Sequence, residues 1–144
     1  MNSSRTTNIQ LEKLAKRYNI PLIAVCNKDM LSQYFTYKGA YIINMEDSDD
    51  GSGTHWVAIW LDTEKGKKVA CYFDSFGLQP PLDVIDFIDR YGAKTVHMSQ
   101  KHIQNINGGY CGQYCINFFI HMMNPKIDSI KKKFKLFLDY FKAY

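Results

Sequence analysis

The chain has 144 residues, 46% hydrophobic and 15% aromatic, enough to bury one core without disulfides or metals, and no second domain is expected. A formal net charge of +4 is modest, and no apolar run is long enough to span a bilayer. The four cysteines, Cys26, Cys71, Cys111 and Cys115, lack the paired spacing of a disulfide scaffold and no secretory h-region is present, so a reducing, non-secreted setting is expected.

In chain order, Thr7 with Gln10 resembles a capping box ahead of Leu11, Leu14 and Tyr18, predicting a helix of about three turns before Ile20-Pro21. Residues 38–45 read as a strand, and 46–54 form an acidic, glycine-containing loop running into His55. Residues 55–62 and 69–74 are rich in β-branched and aromatic side chains and predict an antiparallel hairpin about a turn at Thr63-Glu64-Lys65-Gly66. A bend at residues 77–81 leads into a helix with Leu82, Ile85, Ile88 or Phe87 and Tyr91 inward, closed by Gly92, and 93–98 is a further strand. The polar loop 104–110 ends at Cys111, where a mostly buried helix begins and runs to the residues before Asn124-Pro125. An amphipathic helix is expected over about 127–142, with Ile127, Ile130, Phe134, Phe137 or Leu138 and Phe141 on its apolar face.

Cys111 at a helix start stands where unpaired N–H groups and the helix dipole stabilise a thiolate; the alternative is a small buried hydrophobe. Its partners separate the two readings. Symmetric pairing about the turn sets Asp62 against Lys67, Ile59 against Ala70, Val57 against Tyr72 and His55 against Asp74. Cβ atoms of directly opposed residues lie about 4.5–5.5 Å apart, within reach of a bond from His55 Nδ1–H to Asp74. An imidazole oriented by a carboxylate, with a cysteine at a helix start, is the set used for acyl transfer. The Gln104 side-chain amide and the Cys111 N–H would suit a developing oxyanion, although spacing equally allows Gln104 to be an exposed loop residue.

His-Trp, then Asp within Tyr-Phe-Asp-Ser-Phe-Gly, then Gln, then Cys-Gly opening a helix resembles the adenovirus-type maturation cysteine proteases, including those of virophages and large DNA transposons. More distantly the order is similar to the Ulp-type SUMO proteases of the same clan. The resemblance spans about residues 41–122. It implies an α+β, papain-like fold with a central mixed β-sheet flanked by helices. It also implies His55 as general base, Asp74 as orienter, Gln104 as oxyanion donor and Cys111 as nucleophile. Trp56, Gly109 and Tyr110 would line a narrow substrate cleft, with cleavage after Gly or Ala in capsid or core precursors, in the virion, host-cell cytoplasm or viral factory. Adenoviral enzymes usually carry Glu where Asp74 stands, and near their activator-binding cysteine this chain has Ala93, so no covalent peptide activator is implied.

Two rivals are a ubiquitin-like-protein protease and a non-catalytic binding module. A zinc site from Cys111, Cys115 and His121 is disfavoured because no C-x-x-C or tight His pair occurs, and no cofactor is expected. Lys126, Lys131, Lys132, Lys133 and Lys135 read first as the solvated face of the last helix and second as a basic strip for DNA. Cys26 and Cys71 read as core residues, His97 as a satisfied strand histidine, His102 as an exposed loop residue and His121 as a late-helix residue facing carbonyl ends.

Overall fold

A computed structural model describes residues 7–46, 55–103 and 110–141. The elements run α1 (Asn8–Arg17), β1 (Leu22–Asn27), a 3-10 helix (Lys28–Gln33), β2 (Gly39–Asn44), β3 (Trp56–Glu64), β4 (Lys67–Phe73), α2 (Leu82–Tyr91), β5 (Thr95–Met98), α3 (Cys111–Met122) and α4 (Ile130–Asp139). The strands form one five-stranded sheet in sequence order, with β1–β2 and β4–β5 parallel and the pairs between them antiparallel. It is the central mixed sheet that the family resemblance implies.

Helices cover both faces, which is why β2 is buried along its whole length and shows no polar alternation. On one face α1, α3 and α4 bury Leu11, Phe118, Phe119, Phe134 and Phe137 against Ala58, Trp60 and Phe73. On the other, α2 sets Val84, Phe87 and Tyr91 against Tyr41, Val57, Ile59 and Tyr72. Fully buried aromatics such as Phe118 and Phe137 each stabilise the fold by about 1.5–3 kcal/mol relative to exposure.

The capping box of α1 forms in both directions, Gln10 N–H to Thr7 Oγ1 and Thr7 N–H to Gln10 Oε1. One stretch carries elements for which there was no expectation, and three expectations shift. The residues 22–33 carry a strand and a 3-10 helix that no local pattern announced. Val84 takes the inward place given to Leu82 and Ile85, which are exposed, because the buried stripe of α2 runs Val84, Phe87, Ile88, Tyr91. The last helix starts at Ile130, where Ser129 accepts the Lys132 N–H and Glu64 accepts the Ile130 N–H; two acceptors there fix its positive end. Finally, β3 continues through Glu64, so the turn is the two-residue Lys65-Gly66, both with positive φ, and Ile59 faces Tyr72 rather than Ala70.

Candidate active site

The corrected register moves the hairpin by two residues, so His55 and Asp74 are not directly opposed. An even shift keeps every side chain on its expected face. The pairing ends at Ala58–Phe73, beyond which β4 leaves the ladder. Asp74 begins a turn in which its carbonyl accepts the Gly77 N–H at 2.8 Å and its side-chain Oδ1 accepts the Phe76 N–H at 2.9 Å. Gly77 has φ +71°, and a Cβ there would stand 2.6 Å from the Gln100 carbonyl oxygen, so glycine is needed both for the turn and for the close approach of 100–101.

Turned back in this way, Asp74 Oδ1 accepts a hydrogen bond from His55 Nε2 at 2.6 Å. The ring nitrogen differs from the expected Nδ1. A carboxylate can only accept, so the Nε2 proton is fixed and Nδ1 is the nitrogen left for the Cys111 sulfur. Nδ1 is buried and has no nitrogen or oxygen partner among the described residues. Burial alone would lower the imidazole pKa; the hydrogen bond to Asp74 and then the interaction with Cys111 outweigh it and raise the value to about 9. The imidazole is only 13% exposed and the carboxylate 0%, so neither interaction is much screened by water.

The Phe76 ring lies parallel to the His55 imidazole, centroids 4.0 Å apart and planes within 2°. Its own N–H holds the carboxylate oxygen that holds the imidazole, so this residue fixes the pair twice. His102 meets the Phe76 ring edge-on at 5.8 Å and is half-buried, not the exposed loop residue expected. Sequence reasoning missed both roles, although an aromatic two residues after the carboxylate, in Asp-Ser-Phe-Gly, was the available signal.

Cys111 is the first residue of α3 and is buried, with Tyr110 at the N-cap providing no side-chain cap. The positive end of the helix dipole falls at this residue, which suits an anion. The Trp56 N–H donates to Cys111 Sγ at 3.3 Å. The Trp56 side chain is 7% exposed and belongs to the core, which leaves it little area for a cleft wall. Tyr110, beside the nucleophile, is 51% exposed. Gln104 and Gly109 lie outside the described residues.

Cys71 is buried, whereas Cys26 is only partly so. His121 Nδ1 bonds the Asn117 carbonyl at 2.9 Å, as a late-helix histidine should. His97 is pulled below its usual pKa by burial and then by Lys131. The lysine strip is thinner than the sequence implies. Lys133 is half-buried with its ammonium on the Met122 carbonyl at the end of α3, and Lys135 pairs with Asp139. No helix among the described residues is long and apolar enough to cross a membrane.

No protein-family model matches the chain. A curated thiol protease, R355 of Acanthamoeba polyphaga mimivirus, is 30% identical over 80 residues, half of this chain and 26% of that protein. The chain thus spans about a quarter of that relative's length. Among solved structures, the ASFV pS273R protease is similar with a TM-score of 0.56 and 19% identity, over 99% of this chain and 70% of the other. AvrA, solved with IP6 and CoA, is similar with a TM-score of 0.54 and 15% identity, over 85% of this chain and 53% of the other. The fold is thus the papain-like, Ulp-like cysteine protease fold.

Proposed function

We propose that the chain is a cysteine endopeptidase in which Cys111 is the nucleophile, His55 the acid–base and Asp74 its orienter. The observation that carries this reading is the 2.6 Å bond from His55 Nε2 to a buried carboxylate, which leaves Nδ1 for the thiol at the start of α3. Cys111 thiolate attacks the peptide carbonyl and forms a tetrahedral oxyanion. As that collapses, the imidazolium gives its Nδ1 proton to the leaving amine, and a thioester remains. Water then loses a proton to Nδ1 while attacking the thioester, which frees the carboxylic acid and returns the thiolate beside the imidazolium. The Gln104 amide and the Cys111 N–H are the proposed oxyanion donors.

The substrates proposed are viral precursor capsid or core proteins, cut during virion maturation after Gly or Ala, with Gly109, Tyr110 and the Trp56 segment at the cleft. Similarity to a mimivirus thiol protease and to the ASFV protease supports a viral setting.

The test is cleavage of peptides that differ only in the residue before the scissile bond, together with mass spectrometry of precursor proteins incubated with enzyme. Gly and Ala peptides should be cut and bulky ones not, and Cys111→Ala should abolish cleavage while the fold is retained by circular dichroism. Full turnover by Cys111→Ala would sink the assignment. Rapid cleavage of ubiquitin-like conjugates, with precursors untouched, would transfer the site to that substrate class.

A further inference from the structure

The α3 helix carries a second buried thiol, Cys115, which the proposed chemistry does not use. Where it points follows from the way the sheet ends. Met45 N–H donates to the His55 carbonyl at 2.9 Å, so residue 55 presents its backbone groups to β2. Strand alternation then turns the Trp56 N–H and C=O to the other edge, the one β4 occupies further along. The β4 ladder stops at Ala58–Phe73, and the next rung would fall to Ser75. Ser75 has instead given its carbonyl to the Ile103 N–H at 2.9 Å.

Two sulfurs stand in the place of that rung. The Trp56 N–H donates to Cys111 Sγ at 3.3 Å, and Cys115 Sγ–H donates to the Trp56 carbonyl at 3.6 Å. Cysteines four residues apart lie on one helix face, one above the other, which lets a single turn of α3 meet both groups of one strand residue. Buried backbone donors and acceptors need partners, and here the partners are thiols.

Building on Cys111 as nucleophile, we propose that Cys115 is a positioning residue, which anchors the Trp56 peptide so that its N–H stays aimed at the nucleophile sulfur. The Cys115 thiol is suited to it. Its complete burial, and then the neighbouring Cys111 charge, push its pKa well above the ordinary value, so it keeps the proton it donates. Hydrogen-bond donors hold a sulfur anion more strongly than a neutral thiol.

The experiment follows alkylation of Cys111 by iodoacetamide across pH, with the labelled residue identified by mass spectrometry, in wild type, Cys115→Ala and Cys115→Ser. Losing one such anchor should raise the alkylation midpoint by about 0.5–1 pH unit and lower kcat about threefold to tenfold with KM unchanged. Cys115→Ser, which keeps a donor, should return both toward wild type. Equal profiles for wild type and Cys115→Ala overturn the proposal, as does an equal impairment of both variants, which would mean that sulfur volume alone matters. Should Cys115→Ala fail to fold, the Trp56 amide resonance in nitrogen-15-labelled wild type gives the second reading. It should titrate with the Cys111 alkylation midpoint, and an invariant resonance also overturns the proposal. Alkylation needs no turnover, so a Cys111→Ala variant that still cleaved peptide would refute the nucleophile without touching this coupling.

Discussion

The two ends of the β3–β4 hairpin obey the same pairing rules and arrive at opposite outcomes. At the turn end the ladder runs out to Glu64–Lys67 and closes on Lys65-Gly66, every rung filled by the neighbouring strand. At the other end it stops at Ala58–Phe73, and the strands part. Past that point the Trp56 backbone bonds cysteine sulfurs and Asp74 bonds an imidazole and a backbone N–H. A closed sheet end leaves its side chains at the surface, whereas a parted one frees backbone and carboxylate to serve a site.

The sharpest way to break this contrast is at the open end. Asp74→Asn should lower kcat/KM by about 10–10²-fold, because the amide oxygen can still accept the Nε2 proton but carries no charge to balance an imidazolium. The pH dependence carries a second sign. His55 is raised from 6.5 to about 9, so wild-type activity should fall as pH rises through about 9 and the proton owed to the leaving amine is lost. Stability follows the same course, since the contribution of a raised histidine is complete below about 6.5 and is lost through about 9. In Asp74→Asn the basic limb should move toward neutrality; a pH–rate profile with its limb unmoved would separate Asp74 from the imidazole.

Smaller effects are expected from backbone changes. Gly77→Ala places a Cβ against the Gln100 carbonyl at a positive φ and should cost about 1–3 kcal/mol by chemical denaturation, with kcat reduced because the Asp74 turn opens. Gly66→Ala, at the closed end, also has positive φ but meets nothing within 4 Å. It should cost only about 1 kcal/mol and leave kcat/KM unchanged. If both glycine variants altered kcat alike, the two ends would not be independent.

The α1 capping box, the α2 and α3 boundaries near Gly92 and Pro125, and the hairpin were legible in the sequence because each rests on neighbours within a few residues. The region 22–33 was not, since Leu22–Asn27 becomes a strand only by lying beside β2, a partner no local pattern reveals. The Lys133 contact with the end of α3 is likewise an encounter between helices, and composition alone placed that lysine in solvent.

Residue types and their order determined by themselves that a histidine, a carboxylate and a cysteine were present with the local structure to hold each one. Only the tertiary structure decided how they face one another. The register moved by two residues, Asp74 reached Nε2 instead of Nδ1, and Phe76 came to lie flat on the imidazole. The physical reason is that periodicity and capping act over a single turn or strand. The direction of a side chain at the end of a sheet is instead set by where its neighbour strand stops, and by which helix arrives to take the unclaimed hydrogen bonds.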